Sequence, residues 1–95
     1  MTPLRVYISA SCLVCERTNQ IIAEVRALRP HYPIEVVDLD IAGAVKPPSV
    51  FGTPTYCLGE RVISLGNPAL QTLLDLLDAE AAHALAGAGA QTQAQ

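Results

Sequence analysis

The sequence is short of basic residues and without a long apolar run, and each shortage argues against a class of function. Six Lys and Arg stand against nine Asp and Glu, a formal net charge of −3 with a pI near 5.1. Those six are scattered, so no basic patch is available to release counterions from a nucleic-acid backbone. A polybasic membrane anchor is missing for the same reason. No apolar run approaches the ~18 residues that a membrane span requires. The opening MTPLRVYISASC holds one Arg, and its apolar patch is shorter than the roughly 7–15 residues of a signal-peptide core. The expected location is therefore cytoplasmic. Three cysteines in such a reducing compartment do not make a disulfide framework, which gives catalytic or metal-binding roles more weight.

What is present is the material of one small folded domain: 95 residues, 51% of them hydrophobic. A chain of this size buries only about 60–65% of its extended surface, so its core must be economical. Leu4 to Ser9 is rich in β-branched and aromatic residues and reads as a strand. From Cys12 the period becomes helical. Val14, Thr18, Ile21, Ile22, Val25 and Leu28 fall on one stripe, with Glu16, Arg17, Asn19 and Glu24 outside it. Arg26 and Arg29 suit the negative end of that helix, and Pro30 and Pro33 stop it. Ile34 to Leu39 is nearly continuous in apolar character, as expected of a central parallel strand.

A connection over Ile41 to Phe51, with Gly43, Pro47 and Pro48, leads to two short runs, Thr55 to Leu58 and Arg61 to Leu65. Gly59-Glu60 between them signals a tight hairpin. Asn67 reads as the N-cap and Pro68 as the first residue of a last helix, which turns Leu70, Leu73, Leu74, Leu77 and Ala81 inward. Beyond about Ala82 the text HALAGAGAQTQAQ is of low complexity and is expected to fray. The expected organisation is a domain over residues 1–81 and a tail over 82–95. Its order, β-α-β-loop-β-β-α, implies an α/β fold: a four-stranded mixed sheet with helices on its faces.

The chemistry concentrates where the first strand meets the first helix. Cys12 and Cys15 are three apart at a helix start, so they lie on one side with Cα atoms within about 5.5 Å, the usual disulfide separation. Cys12 sits where the helix dipole favours an anion, which should hold its thiolate below the free value of ~8.5. Arg17 assists and Glu16 opposes. Cys15 lies further in and is expected to be the more buried. A purely structural staple closing so small a loop would constrain little chain entropy. A tetrahedral zinc site would have to draw its two remaining ligands from Cys57, His31 and His83, at a spacing unlike a ribbon or a finger.

A strand running into C-x-x-C at a helix start, followed later by Thr-Pro opening a hairpin in GTPTYCLGERVISLG, resembles the thioredoxin and glutaredoxin superfamily over about Leu4 to Glu80. The resemblance implies a thioredoxin-like fold and a thiol–disulfide oxidoreductase. In it Cys12 attacks a substrate disulfide, Cys15 resolves the mixed disulfide, and Pro54 is cis beside the two sulfurs. It implies no cofactor and no metal. The expected partners are a protein or small-molecule disulfide substrate and a reductase or thiol electron donor, with neither nucleic acid nor membrane. Substrate would meet Leu13, Val14, Thr53, Pro54, Gly66 and Asn67.

The chain departs from both main branches. Ser11 stands where thioredoxins have Trp, Leu13-Val14 where they have Gly-Pro, and Val6 where they have a buried Asp. Against glutaredoxins, Leu13-Val14 replaces Pro-Tyr, Thr53 replaces Val, and Leu65-Gly66-Asn67 stands in place of a Gly-Gly turn. The apolar rim formed by Leu13 and Val14 favours a protein client over glutathione. Two other readings stay open. A soft-metal (copper) chaperone also puts C-x-x-C between strand and helix, but runs βαββαβ and usually has Met before the pair. A binding module of the same fold would need no redox turnover. Elsewhere Cys57 reads as a small buried filler, Tyr7 and Tyr56 as core aromatics, His31 and His83 as solvated, and Asp38 and Asp40 as caps of the second strand.

Overall fold

The computed structural model describes residues 2–10, 14–41, 43, 46–48, 50 and 52–92, with side chains described up to residue 84. Alternation in the first strand, β1 (Leu4–Ile8), organises the rest. Leu4 and Val6 face one side of the sheet and Tyr7 the other, as the two-residue period of a strand requires. β1 pairs in parallel with β2 (Ile34–Asp38) after the helix α1 (Cys15–Leu28), and antiparallel with β3 (Thr55–Leu58). β3 turns through Gly59-Glu60 into β4 (Arg61–Leu65), and the sheet order is β2-β1-β3-β4. The last helix, α2, spans Leu70–Thr92. The chain is thus a small α/β structure with a four-stranded mixed sheet.

Both hairpin strands coincide with their expected limits. The turn works because Gly59 takes a φ of 62°, which matches the twist that a two-residue hairpin needs. The register slips between Tyr56 and Cys57, where Ile63 is interposed between Val62 and Ser64.

The core lies on one face. Leu4, Val6, Tyr56 and Leu58 from the sheet pack with Ile21, Ile22 and Val25 of α1 and Leu73, Leu74 and Leu77 of α2. Helices are expected on the faces of the sheet; both occupy the same one. The reason is visible in the packing, since the two apolar stripes share one set of large sheet side chains. The other face carries a smaller cluster of Tyr7, Val50 and Cys57, flanked by Val37, Leu39 and Val62. Part of the β2–β3 connection therefore covers it, through Val50.

β2 is also corrected, from a central strand to an edge strand, with Val36 39% exposed. Its apolar run serves both clusters, Ile34 the first and Val37 with Leu39 the second. Period alone does not distinguish that from a central position. Leu28 and Val14, placed on the inner stripe of α1, are each half exposed. Tyr32 is buried instead, and its hydroxyl donates to the Thr2 carbonyl at 2.7 Å.

α2 begins at Leu70, with the Leu73 N–H bonded to the Ala69 carbonyl at 3.0 Å. Asn67 is not its N-cap. The helix continues past Ala82 to Thr92, in keeping with the helix preference of alanine and the lack of proline there. Arg29, at the end of α1, forks onto Asp78 of α2 at 2.7 and 2.8 Å and holds its carboxyl below the ordinary range. Among the described residues, no helix is long and apolar enough to cross a membrane.

Candidate functional site at the start of the first helix

Cys15 is the first residue of α1, is buried, and is disulfide-bonded. Cys57 is a free thiol. Ser11, Cys12 and Leu13 lie outside the described residues. Val14 is the helix N-cap and, being apolar, makes no side-chain capping bond. The positive end of the helix dipole lies at Val14 and Cys15, with the negative charge of Glu16 in the same turn.

Two groups of the expected site residues come together, and hydrogen bonds join them. Thr53, Pro54 and Gly66 line one open groove of about 250 Å³, with Gly52, Thr55 and Leu65. The Thr53–Pro54 peptide bond is cis. Thr53 is fixed by a 2.8 Å hydroxyl–hydroxyl bond to Ser9, just past the end of β1. Gly66 takes a φ of 87°, and its N–H donates to the Pro54 carbonyl at 2.8 Å. The next residue, Asn67, reaches the other group: its side-chain Nδ2 donates to the Val14 carbonyl at 3.0 Å.

Asn67 makes two further bonds, which reading by pattern did not anticipate. Its Oδ1 accepts from the Thr18 hydroxyl at 2.6 Å and from the Tyr56 hydroxyl at 2.8 Å. Thr18 and Tyr56 are both fully buried. A hydroxyl within an apolar stripe, and another on a buried aromatic, each require a partner. That requirement was the available signal. Burial also pushes the Tyr56 phenol above its ordinary pKa, with the neighbouring Thr18 hydroxyl and the Arg17 charge acting against it. The Asn67 side chain is therefore engaged within the fold, and a ligand in the groove would meet this segment chiefly through backbone and through Leu65.

Leu65, which lines the groove, is 67% exposed, and Val14, at the start of α1, is 50% exposed. Asp38 and Asp40 close the end of β2 as expected. Asp38 accepts from the Asp40 N–H at 2.9 Å, and the Asp40 carboxylate accepts a short bond from the Ala10 N–H. That second bond steadies the chain where it leaves β1 for the cysteine segment. His31 and His83 are exposed. Among the described residues, no three His, Cys, Asp or Glu side chains converge in a way that would hold a metal ion.

Cys57 lies on the second face, opposite Arg5 in the register and buried with Tyr7 and Val50. Burial raises its thiol pKa, with Arg5 acting weakly the other way. Cys57→Ala is expected to cost about 1 kcal/mol, the usual scale of a small core deletion, and the native thiol to resist alkylation at neutral pH until urea is added. Urea titration and timed alkylation measure the two. Rapid alkylation of the folded protein at Cys57 would contradict the placement. In comparisons with protein-family profiles, curated proteins and solved structures, the chain has no significant match.

Proposed function

We propose that the chain is a thioredoxin-like thiol–disulfide oxidoreductase whose couple is Cys12 and Cys15. The observation that carries this reading is the state of the thiols: Cys15 is in a disulfide at the first residue of a helix, while Cys57 is free. The parallel β-α-β unit extended by an antiparallel hairpin supports the fold assignment.

In the reducing direction the Cys12 thiolate attacks one sulfur of a client disulfide. The client S–S bond breaks, and its other sulfur leaves as a thiolate that takes up a proton. Cys15 then gives up its proton, attacks the Cys12 sulfur and expels the second client thiol. The client gains two electrons and two protons, and Cys12 and Cys15 are left joined. A thiol or dithiol donor returns the electrons by the reverse exchange.

The groove beside Thr53 and Pro54 fits an extended peptide better than a free charged tripeptide. It is open, the exposed Leu65 lines it, and among the described residues no Lys or Arg does. The Asn67 amide, one group that would have served a carboxylate, is engaged elsewhere. A protein disulfide is therefore the preferred client. Turnover of a protein disulfide and of a glutathione mixed disulfide, measured side by side with a dithiol donor, tests this. Protein-disulfide turnover at least tenfold faster is expected. Faster glutathione turnover would reverse the client assignment, and no turnover of either would overturn the oxidoreductase reading.

A further inference from the structure

The polar cluster around Asn67 is more than a satisfied set of buried hydroxyls, because the Asn67 amide, like the Thr18 hydroxyl, donates to the Val14 carbonyl. The Val14 carbonyl closes the first turn of α1, accepting from the Thr18 N–H at 3.2 Å. It also belongs to the peptide unit that enters Cys15. Asn67 Nδ2 donates to that same oxygen at 3.0 Å. The amide cannot swing away freely, because its Oδ1 is held by Thr18 from α1 and Tyr56 from β3. Its backbone is held too, since the neighbouring Gly66 N–H is bonded to Pro54. One side chain thus braces the cysteine end of α1 against the strand that follows the groove.

We propose that Asn67 is a positioning residue for the cysteine couple, locking the carbonyl before Cys15 and so biasing the couple toward its disulfide form. The inference rests on the oxidoreductase reading above. The brace is present with Cys15 in a disulfide. Closing that bond fixes the backbone at the helix start, whereas a dithiol places no such demand on it. In this proposal the bond is made more completely in the closed form than in the dithiol, and it stabilises the closed state by the difference. By linkage, the disulfide must strengthen the brace as much as the brace favours the disulfide. Tyr56 acts one step further out, by orienting the amide.

The test compares wild type, Asn67→Ala, Tyr56→Phe and, as a core control away from the cluster, Leu74→Ala. Each is titrated against dithiothreitol and glutathione buffers, and each is unfolded in urea in oxidised and in reduced form. Asn67→Ala is expected to shift the couple about tenfold toward the dithiol, which is ~30 mV for a two-electron couple. The stability gap between its oxidised and reduced forms should narrow by the same factor. Tyr56→Phe should shift both in the same direction by less, and keeps the question decidable if Asn67→Ala does not fold. Leu74→Ala should weaken both redox forms alike and leave the equilibrium unmoved.

An Asn67→Ala protein that loses stability equally in both forms, with an unshifted couple, would overturn the positioning role and leave the oxidoreductase reading standing. So would a Leu74→Ala shift as large as that of Asn67→Ala. A wild type with no reversible couple would overturn both.

Discussion

Replacing Cys15 by serine is expected to stop catalytic turnover of a protein disulfide and to leave the chain covalently joined to its client through Cys12. Cys15 sits at the first residue of α1, buried and already paired in a disulfide. In the proposed exchange it is the resolving thiol. Its advantage over a thiol from solution is proximity, since intramolecular groups held in place act at effective concentrations far above millimolar. Without it, release of the client depends on external thiol, and turnover should fall at least roughly 100-fold at millimolar donor. Mass spectrometry of the trapped species should find Cys12 in the mixed disulfide. Cys12→Ser should trap nothing, because the remaining thiols, Cys15 and Cys57, are buried away from the client. A Cys12→Ser protein that accumulates adducts while Cys15→Ser turns over would exchange the two roles.

The second large effect belongs to the fold. Leu77→Ala should destabilise the protein by about 2–5 kcal/mol, the range for truncating a buried leucine. Leu77 is fully buried, in the single cluster shared by both helices and the sheet. With both helices on one face, a cavity there loosens α2 from the sheet and from α1 together. Small domains have only about 5–15 kcal/mol in total. For a domain of this size each kcal/mol is worth roughly 4–8 °C in Tm, so a loss of ~10 °C or more is expected by calorimetry. Val37→Ala, in the smaller cluster of the other face, should cost distinctly less. Equal losses would contradict a core lying on one face.

Local pattern carried a good part of this structure. The hairpin was readable because Gly59-Glu60 separates two short β-branched runs, and the strand limits followed from that. The stripe of Thr18, Ile21, Ile22 and Val25 marked the buried side of α1, and the leucines marked that of α2. What pattern could not supply was the placement of elements against one another. The apolar run of β2 is equally compatible with a central strand and with an edge strand packed on both sides. Nothing in the period of either helix says which face of the sheet it joins. Asn67 illustrates the same limit at the site. Asn-Pro before a leucine-rich run reads as a helix cap, yet tertiary bonds to Val14, Thr18 and Tyr56 claim the side chain. Val14 was expected on the inner stripe as well as at the rim; at 50% exposure it is not part of the buried stripe.

The central claim, that Cys12 and Cys15 form a working redox couple, is tested most directly by titrating the protein against glutathione and dithiothreitol buffers while counting free thiols. The account predicts one reversible two-electron transition that releases two thiols on reduction, is lost in Cys12→Ser and in Cys15→Ser, and survives in Cys57→Ala. A protein whose thiol count does not change across the range of buffers, or whose transition disappears with Cys57, would contradict it.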